Sequence, residues 1–143
     1  MGRQATTAHP QQGRAGPPPA RVRLGGGQGF YGDLVEPARV LAERGELDYL
    51  CCDALAELTL SILHKDRERG RGPGYTRDLE AYAAALLPVV ARGRLVWITS
   101  AGGLNPRGAA GAVARVARSL GITGLRVGVV TGDDLFARLD RLR

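Results

Sequence analysis

Lysine is nearly missing from this chain: Lys65 is the only one among 20 basic residues in 143. Histidine and cysteine occur twice each, and aromatic residues make up 5%. Each shortage closes off a class of function. His9 lies in a proline-rich tail and His64 near a helix end, and neither has a serine or cysteine partner, so a catalytic triad is not expected. Cys51 and Cys52 are adjacent in an apolar run, where neighbouring strand side chains point apart, so they do not bridge each other. No Cys or His stands at metal-ligand spacing, so no metal site built on them is expected. The two thiols read as small buried hydrophobes, reduced as in a cytoplasmic protein. The longest apolar run, Ala81 to Ala91, is broken by Pro88 and falls short of the roughly 18 residues of a membrane span, so no membrane partner is expected. The net charge is +6, but the arginines are spread through every segment without aromatic interleaving, which argues against nucleic acid as a partner.

What is present is glycine, 21 residues of it, set between short apolar runs. Residues 1–20 hold no acid and four prolines, a composition that predicts a disordered tail. Arg21–Leu24 reads as a short strand entering a glycine loop, followed by a helix over Leu34–Arg44 that Gly45 ends. Asp33 could cap that helix, or Pro37 could mark its first position. Leu47–Cys52 reads as a buried strand and Asp53–Lys65 as a helix with Leu55, Leu58 and Ile62 at helical spacing. The charged, glycine-rich "KDRERGRGPG" predicts an exposed loop. A helix over about Tyr75–Ala91, a strand over Leu95–Thr99, a helix over Arg107–Leu120, a strand over Leu125–Val130 and a final helix from Leu135 complete the pattern. This alternation predicts an open parallel α/β sheet of about four strands with helices on both faces, a three-layer Rossmann-like or flavodoxin-like arrangement. The order 2-1-3-4 would put the two glycine-bearing loops on either side of the switch point. The domain spans 21–143 and, stopping soon after its last strand, reads as incomplete.

In such a sheet the ligand crevice lies at the carboxyl ends of the strands, here "GGGQGFYGD", "CCDALAE", "TSAGGLNP" and "TGDD". All four carry glycine, acid or amide residues for which a core has no use. From Gly27 the first stretch satisfies G-x-G-x-x-G, with Asp53 at the end of the next strand, as a dinucleotide site requires. Against that, Phe30 and Tyr31 are bulky, and Asp33 places a negative charge where phosphate would lie. Asp33, Asp53, Glu57, Asp133 and Asp134 could instead converge on one edge, with Asn105 as a neutral oxygen donor, as hard-cation binding or general acid–base work would require. Asp33, Asp53 and Asp133 also sit where helix caps belong. Glu57, four residues into its expected helix, escapes that explanation and is the favoured catalytic residue, with Asp33 beside it. Gly27, Gly29, Gly32, Gly102, Gly103 and Asn105 are the expected substrate-binding positions. No cofactor can be named from these motifs.

"GGGQGFYGD", "LDYLCCDALAELTLSIL" and "TSAGGLNPRG", in this order, resemble the N-terminal region of the acyclic terpene utilisation (AtuA) family, over residues 21 to about 136. Members of that family usually carry a glycine–asparagine pair where this chain has Gly25-Gly26, and asparagine where it has Ser100. The resemblance implies a longer family domain and a bacterial role in the breakdown of acyclic terpenoids such as citronellol and geraniol, through acyl-CoA intermediates. Two classes of function follow. One is an enzyme of terpenoid or branched acyl-CoA catabolism, taking a small-molecule ligand such as an acyl-CoA. The other is a non-catalytic nucleotide- or partner-binding domain, or an inactive remnant. A sheet lacking its second half would be expected to self-associate into a homo-oligomer or to require a missing C-terminal half.

Overall fold

The computed structural model describes residues 21–133, 135 and 138–142. The tail of residues 1–20 and Asp134 lie outside the described residues. The strands are β1 (Leu24–Gln28), β2 (Tyr49–Cys52) and β3 (Val96–Thr99), all parallel and in the order β1-β2-β3. The central strand is therefore β2, which corrects the expected order 2-1-3-4. Each crossover steps across the sheet in the same direction. Right-handed crossovers that never reverse carry every helix to one side. Accordingly α1 (Val35–Arg44) packs on β1, α3 (Leu79–Val90) packs on α1 and β3, and α4 (Pro106–Ser119) packs on α3.

Among the described residues nothing covers the opposite face, which corrects the expectation of helices on both faces. Its outward rows are Leu24–Tyr49–Val96 and Gly26–Cys51–Ile98, aligned by the strand register. Leu24, Val96 and Ile98 are 68%, 42% and 49% exposed, and the Cys51 thiol is exposed as well. The inward residues make the core. One cluster joins Ala38, Leu50, Cys52, Tyr82, Leu86 and Leu95 between sheet, α1 and α3. A second joins Leu79, Ala83, Leu87, Ala112 and Val113 between α3 and α4, and Trp97 touches both. The helix α3 is thus the spine of the molecule, and its alanines let both neighbours approach.

The fourth expected strand does not join the sheet. Leu125 packs against the second core cluster, but Leu125–Val130 makes no ladder with β3, and Val130 is 93% exposed. Strand propensity depends on a partner surface, and alternating valines alone do not supply one. The last helix, α5 (Leu139–Leu142), is a single turn.

The helix α2 (Glu57–Glu68) begins four residues later than the sequence suggests. The loop before it is tied elsewhere: Ala54 N–H donates to Ser100 Oγ and Leu55 N–H to Asp53 Oδ1. The later start rotates the buried face to Thr59 and Leu63, leaving Leu58 and Ile62 60% and 40% exposed.

Candidate functional site

The first glycine stretch is more strand than loop. Gly25, Gly26 and Gly27 belong to β1, which ends at Gln28. A side chain at Gly27 would meet Leu50 Cδ1 at 3.0 Å, Cys52 Sγ at 3.1 Å and Ala38 Cβ at 3.2 Å. Glycine at this position lets α1 lie close on the strand. The register breaks between Gly26 and Gln28, so both Gln28 and Gly26 find partners on β2 one residue apart, at Cys52 and Cys51. Such a bulge re-aims the side chain that follows it. Gln28 therefore turns inward and is buried, beside Cys52.

The remaining turn, Gly29–Leu34, is held by two carboxylates. Asp33 Oδ2 accepts from the backbone N–H of both Gly29 and Phe30 at 2.9 Å. These are the amides that a phosphate would need, and the chain's own acid occupies them. Asp33 therefore does not cap α1, whose N-cap is Leu34 without a side-chain bond. Asp78, at the start of α3, supplies the second carboxylate. Its Oδ2 accepts from Gln28 Nε2 at 3.0 Å and from Gly32 N–H at 3.2 Å, Gly32 having a φ of 95° that favours glycine. Gln28 Nε2 also donates to the Phe30 carbonyl. One turn further along α3, the buried Tyr82 hydroxyl donates to the carbonyls of Asp33 and Leu34. Burial, with the nearby Cys52, Asp78 and Asp33, pushes the Tyr82 phenol up to about 12.

Three buried polar atoms in this region have no hydrogen-bond partner among the described residues: Asp78 Oδ1, Thr76 Oγ1 and Trp97 Nε1. Burial pushes the Cys52 thiol up, and the Trp97 indole N–H, which faces it without hydrogen-bond geometry, pulls the other way. Buried polar atoms without partners are rare in native proteins, and each one calls for an explanation. Asp78 is the most suggestive, because one oxygen is fixed by two donors while the other is dry and free to accept. That asymmetry suits a group that receives a hydrogen bond or a proton from a ligand.

The second glycine stretch is built differently. Ser100 follows β3 directly, and its hydroxyl donates to Asp53 Oδ1 at 2.9 Å. Asn105 caps α4, its Oδ1 accepting from Gly108 N–H at 3.0 Å and its Nδ2 donating to the Pro73 carbonyl at 2.9 Å. Both ends of that amide are engaged within the protein. Gly102 lies against Pro106, and Gly103, at a φ of 50°, sits against the Leu63 side chain and the Gly74 carbonyl. These two glycines permit a tight turn beneath α2.

Several acids do not gather as the sequence suggested. Glu57 is the first residue of α2 and exposed, and its carboxylate accepts no hydrogen bond among the described residues. Its expected place four residues into the helix is corrected, and with it the reason for singling it out. A carboxylate in a first turn is ordinary helix electrostatics. Asp53 precedes α2 without capping it, since the N-cap is Ala56. Asp133 is exposed and makes no hydrogen bond or ion pair among the described residues. The residues that sequence reasoning missed are Gln28, Asp78 and Tyr82. The signal available for Asp78 and Tyr82 was their i, i+4 spacing along a helix that is apolar apart from Glu80. Gln28 stood out only as a polar residue entering a strand.

Among the described residues, no group of three or more His, Cys, Asp or Glu is placed to hold a metal ion, and no helix is long and apolar enough to cross a membrane. No curated protein and no solved structure matches the chain. The model of the acyclic terpene utilisation family protein AtuA matches residues 22–143, which covers both glycine stretches and every element that carries the Asp78 network. The chain belongs to the AtuA family.

Proposed function

We propose that this protein is an enzyme of bacterial acyclic terpenoid or branched acyl-CoA catabolism, cytoplasmic, with its ligand site at the carboxyl edge of the sheet. Family membership carries the link to acyclic terpene utilisation. The observation that favours this edge is Asp78, whose Oδ2 is fixed by Gln28 and Gly32 while its buried Oδ1 has no partner. Exposed apolar side chains on the adjoining segments, Phe30 and Leu34 before α1 and Leu58 and Ile62 on α2, suit a ligand with a polar head and a branched hydrocarbon chain. In this reading Asp33, Gly29 and Gly32 shape the first turn, Gly102, Gly103 and Asn105 the second, and Gly27 seats the strand against α1. Glu57 contributes an exposed carboxylate at the rim. The two free thiols, Cys51 and Cys52, fit a reducing compartment.

Calorimetric titration of the whole chain with isovaleryl-pantetheine and with isovaleryl-CoA tests this reading. Binding of either thioester, weakened roughly tenfold or more by Asp78→Ala with the fold intact, supports the site. A variant that binds as well as the parent moves the ligand away from Asp78. Binding without any change in the thioester over prolonged incubation assigns the chain to the non-catalytic alternative.

A further inference from the structure

The stretch "KDRERGRG" is not the simple loop that its composition suggests. It completes α2 and ends in a tight cap: Gly70 N–H donates to the Arg67 carbonyl and Arg71 N–H to the Asp66 carbonyl, with Gly70 at a φ of 64°. That is the Schellman arrangement, which fixes the chain beyond the helix end. Lys65, Arg67, Arg69 and Arg71 are all exposed along this short fixed segment. Arg67 donates only to the Leu104 carbonyl, at 3.5 Å. A methyl group on Gly74 would touch both Arg67 Cδ, at 3.5 Å, and Asn105 Cβ, at 3.2 Å, so the end of α2 lies against the second glycine stretch. Arg107, two residues past Asn105, is exposed in the first turn of α4.

Among the described residues the charges here go uncompensated, whereas several elsewhere are paired. Arg39 is clamped by Glu36 and Glu43, Arg23 meets Glu46, and Arg115 meets Glu80. Within the α2 terminus, Asp66 is taken by Arg77 and Glu68 pairs with His64 at 3.2 Å. Among the described residues, Lys65, Arg69, Arg71 and Arg107 have no hydrogen bond or ion pair through their charged groups. Cations at the C-terminus of α2 answer its dipole, but Arg107 stands at a helix N-terminus, where a cation is disfavoured. Like charges set side by side repel, and an anion from outside relieves that repulsion. Arg92 and Arg94 are unpaired too, but they precede β3, at the opposite edge of the sheet.

We propose that Lys65, Arg67, Arg69, Arg71 and Arg107 seat the phosphate-bearing end of a coenzyme A thioester. The acyl end then runs along the second glycine stretch toward the Asp78 network. This inference rests on the reading that the ligand is an acyl-CoA. Asp66, in the last turn of α2, pairs with Arg77, the residue before Asp78, so the basic segment lies close to the Asp78 network.

Three probes separate this seat from the acyl site: isovaleryl-CoA, isovaleryl-pantetheine and adenosine 3′,5′-bisphosphate, each titrated into the full chain. The bisphosphate is expected to bind, and added salt to weaken both it and isovaleryl-CoA while sparing the pantetheine thioester. The double change Arg67→Ala, Arg71→Ala is expected to weaken isovaleryl-CoA roughly tenfold or more, as is Arg107→Ala, without altering isovaleryl-pantetheine binding. Arg92→Ala, Arg94→Ala serves as the control with the same charge loss. Equal binding of isovaleryl-CoA by parent and seat variants overturns the seat and leaves the acyl site standing. Bisphosphate binding without binding of either thioester keeps the seat and removes the acyl-CoA reading. Single-stranded RNA that displaces the bisphosphate more effectively than isovaleryl-CoA does overturns the seat in favour of nucleic acid.

Discussion

The two glycine-rich stretches look alike as strings and differ in almost every physical respect. In the first, Gly25 and Gly27 are strand residues whose missing side chains let α1 close on β1. In the second, Gly102 and Gly103 form a turn whose tightness is set by Pro106, Leu63 and the Gly74 carbonyl. The first ends in a carboxylate, Asp33, that folds back on its own amides. The second ends in an amide, Asn105, that starts a helix. Glycine content alone therefore says that a backbone must come close to something. What it comes close to is decided by the packing partner, and in neither stretch is that partner a phosphate.

The contrast can be broken most sharply at Gly27. Valine there suits a strand in the abstract, yet it would crowd Leu50, Cys52 and Ala38. Gly27→Val is expected to cost about 2–3 kcal/mol in urea unfolding. Gly26→Val, one residue away on the open face with nothing within 4 Å, should be neutral or mildly stabilising. Equal effects at the two sites would mean that α1 does not seat on β1 as described. Gly103→Ala tests the second stretch by the same unfolding measurement. Its positive φ and the nearby Gly74 carbonyl lead to an expected loss of about 1–2 kcal/mol.

A smaller effect is expected from Tyr82, which holds the exit of the first stretch. Tyr82→Phe removes a donor to two carbonyls and should cost about 1 kcal/mol. The phenol also gives the alkaline limit a definite sign. Its pKa in the folded protein is about 12, above the ordinary value of 10.0, so the folded state holds its proton more firmly. The corresponding stability is fully present below pH 10 and declines as pH rises toward 12. Thermal melts over that range should show this decline in the parent and a shallower one in Tyr82→Phe. Parallel curves for the two proteins would show that the phenol is not the group responsible.

The smallest effect is expected at Glu57. Glu57→Gln should change stability by under about 0.5 kcal/mol, because the carboxylate is exposed and has no partner among the described residues. A larger loss in the same melts would show that the first turn of α2 is tied down more firmly than its contacts suggest.

These cases also mark how far the sequence could be read. The alternation of helix and strand was legible because apolar periodicity is local, and so was the carboxyl edge with its acids and glycines. The strand order was not, since it depends on which way each crossover steps, and no residue encodes that by itself. β1 was read as ending at Leu24 because glycine is a poor strand former, and the close approach of α1 overrode that preference. The site shows the same division. Asp33 was visible as an acid in a glycine turn, but its engagement with its own loop needed coordinates. Gln28 and Asp78 lie 50 residues apart, and only the packing of α3 against the end of β1 brings them together. Glu57 stands at the first position of α2, not four residues in, because Ser100 holds the preceding loop.

The bulge in β1 makes chain length in this region a matter of parity. With Gly27 as the extra residue, Gln28 lies opposite Cys52 and turns inward to Asp78. A homologous sequence one glycine shorter here would keep its composition nearly unchanged and still pair with β2. Without the extra residue its glutamine would meet Cys52 in regular register and still face α3, whereas a strand of the present length without the bulge would turn Gln28 to the side of Leu24 and Gly26. The bulge and the third glycine therefore go together, and an alignment gap among the three glycines is expected to mark a regular strand that keeps its glutamine inward.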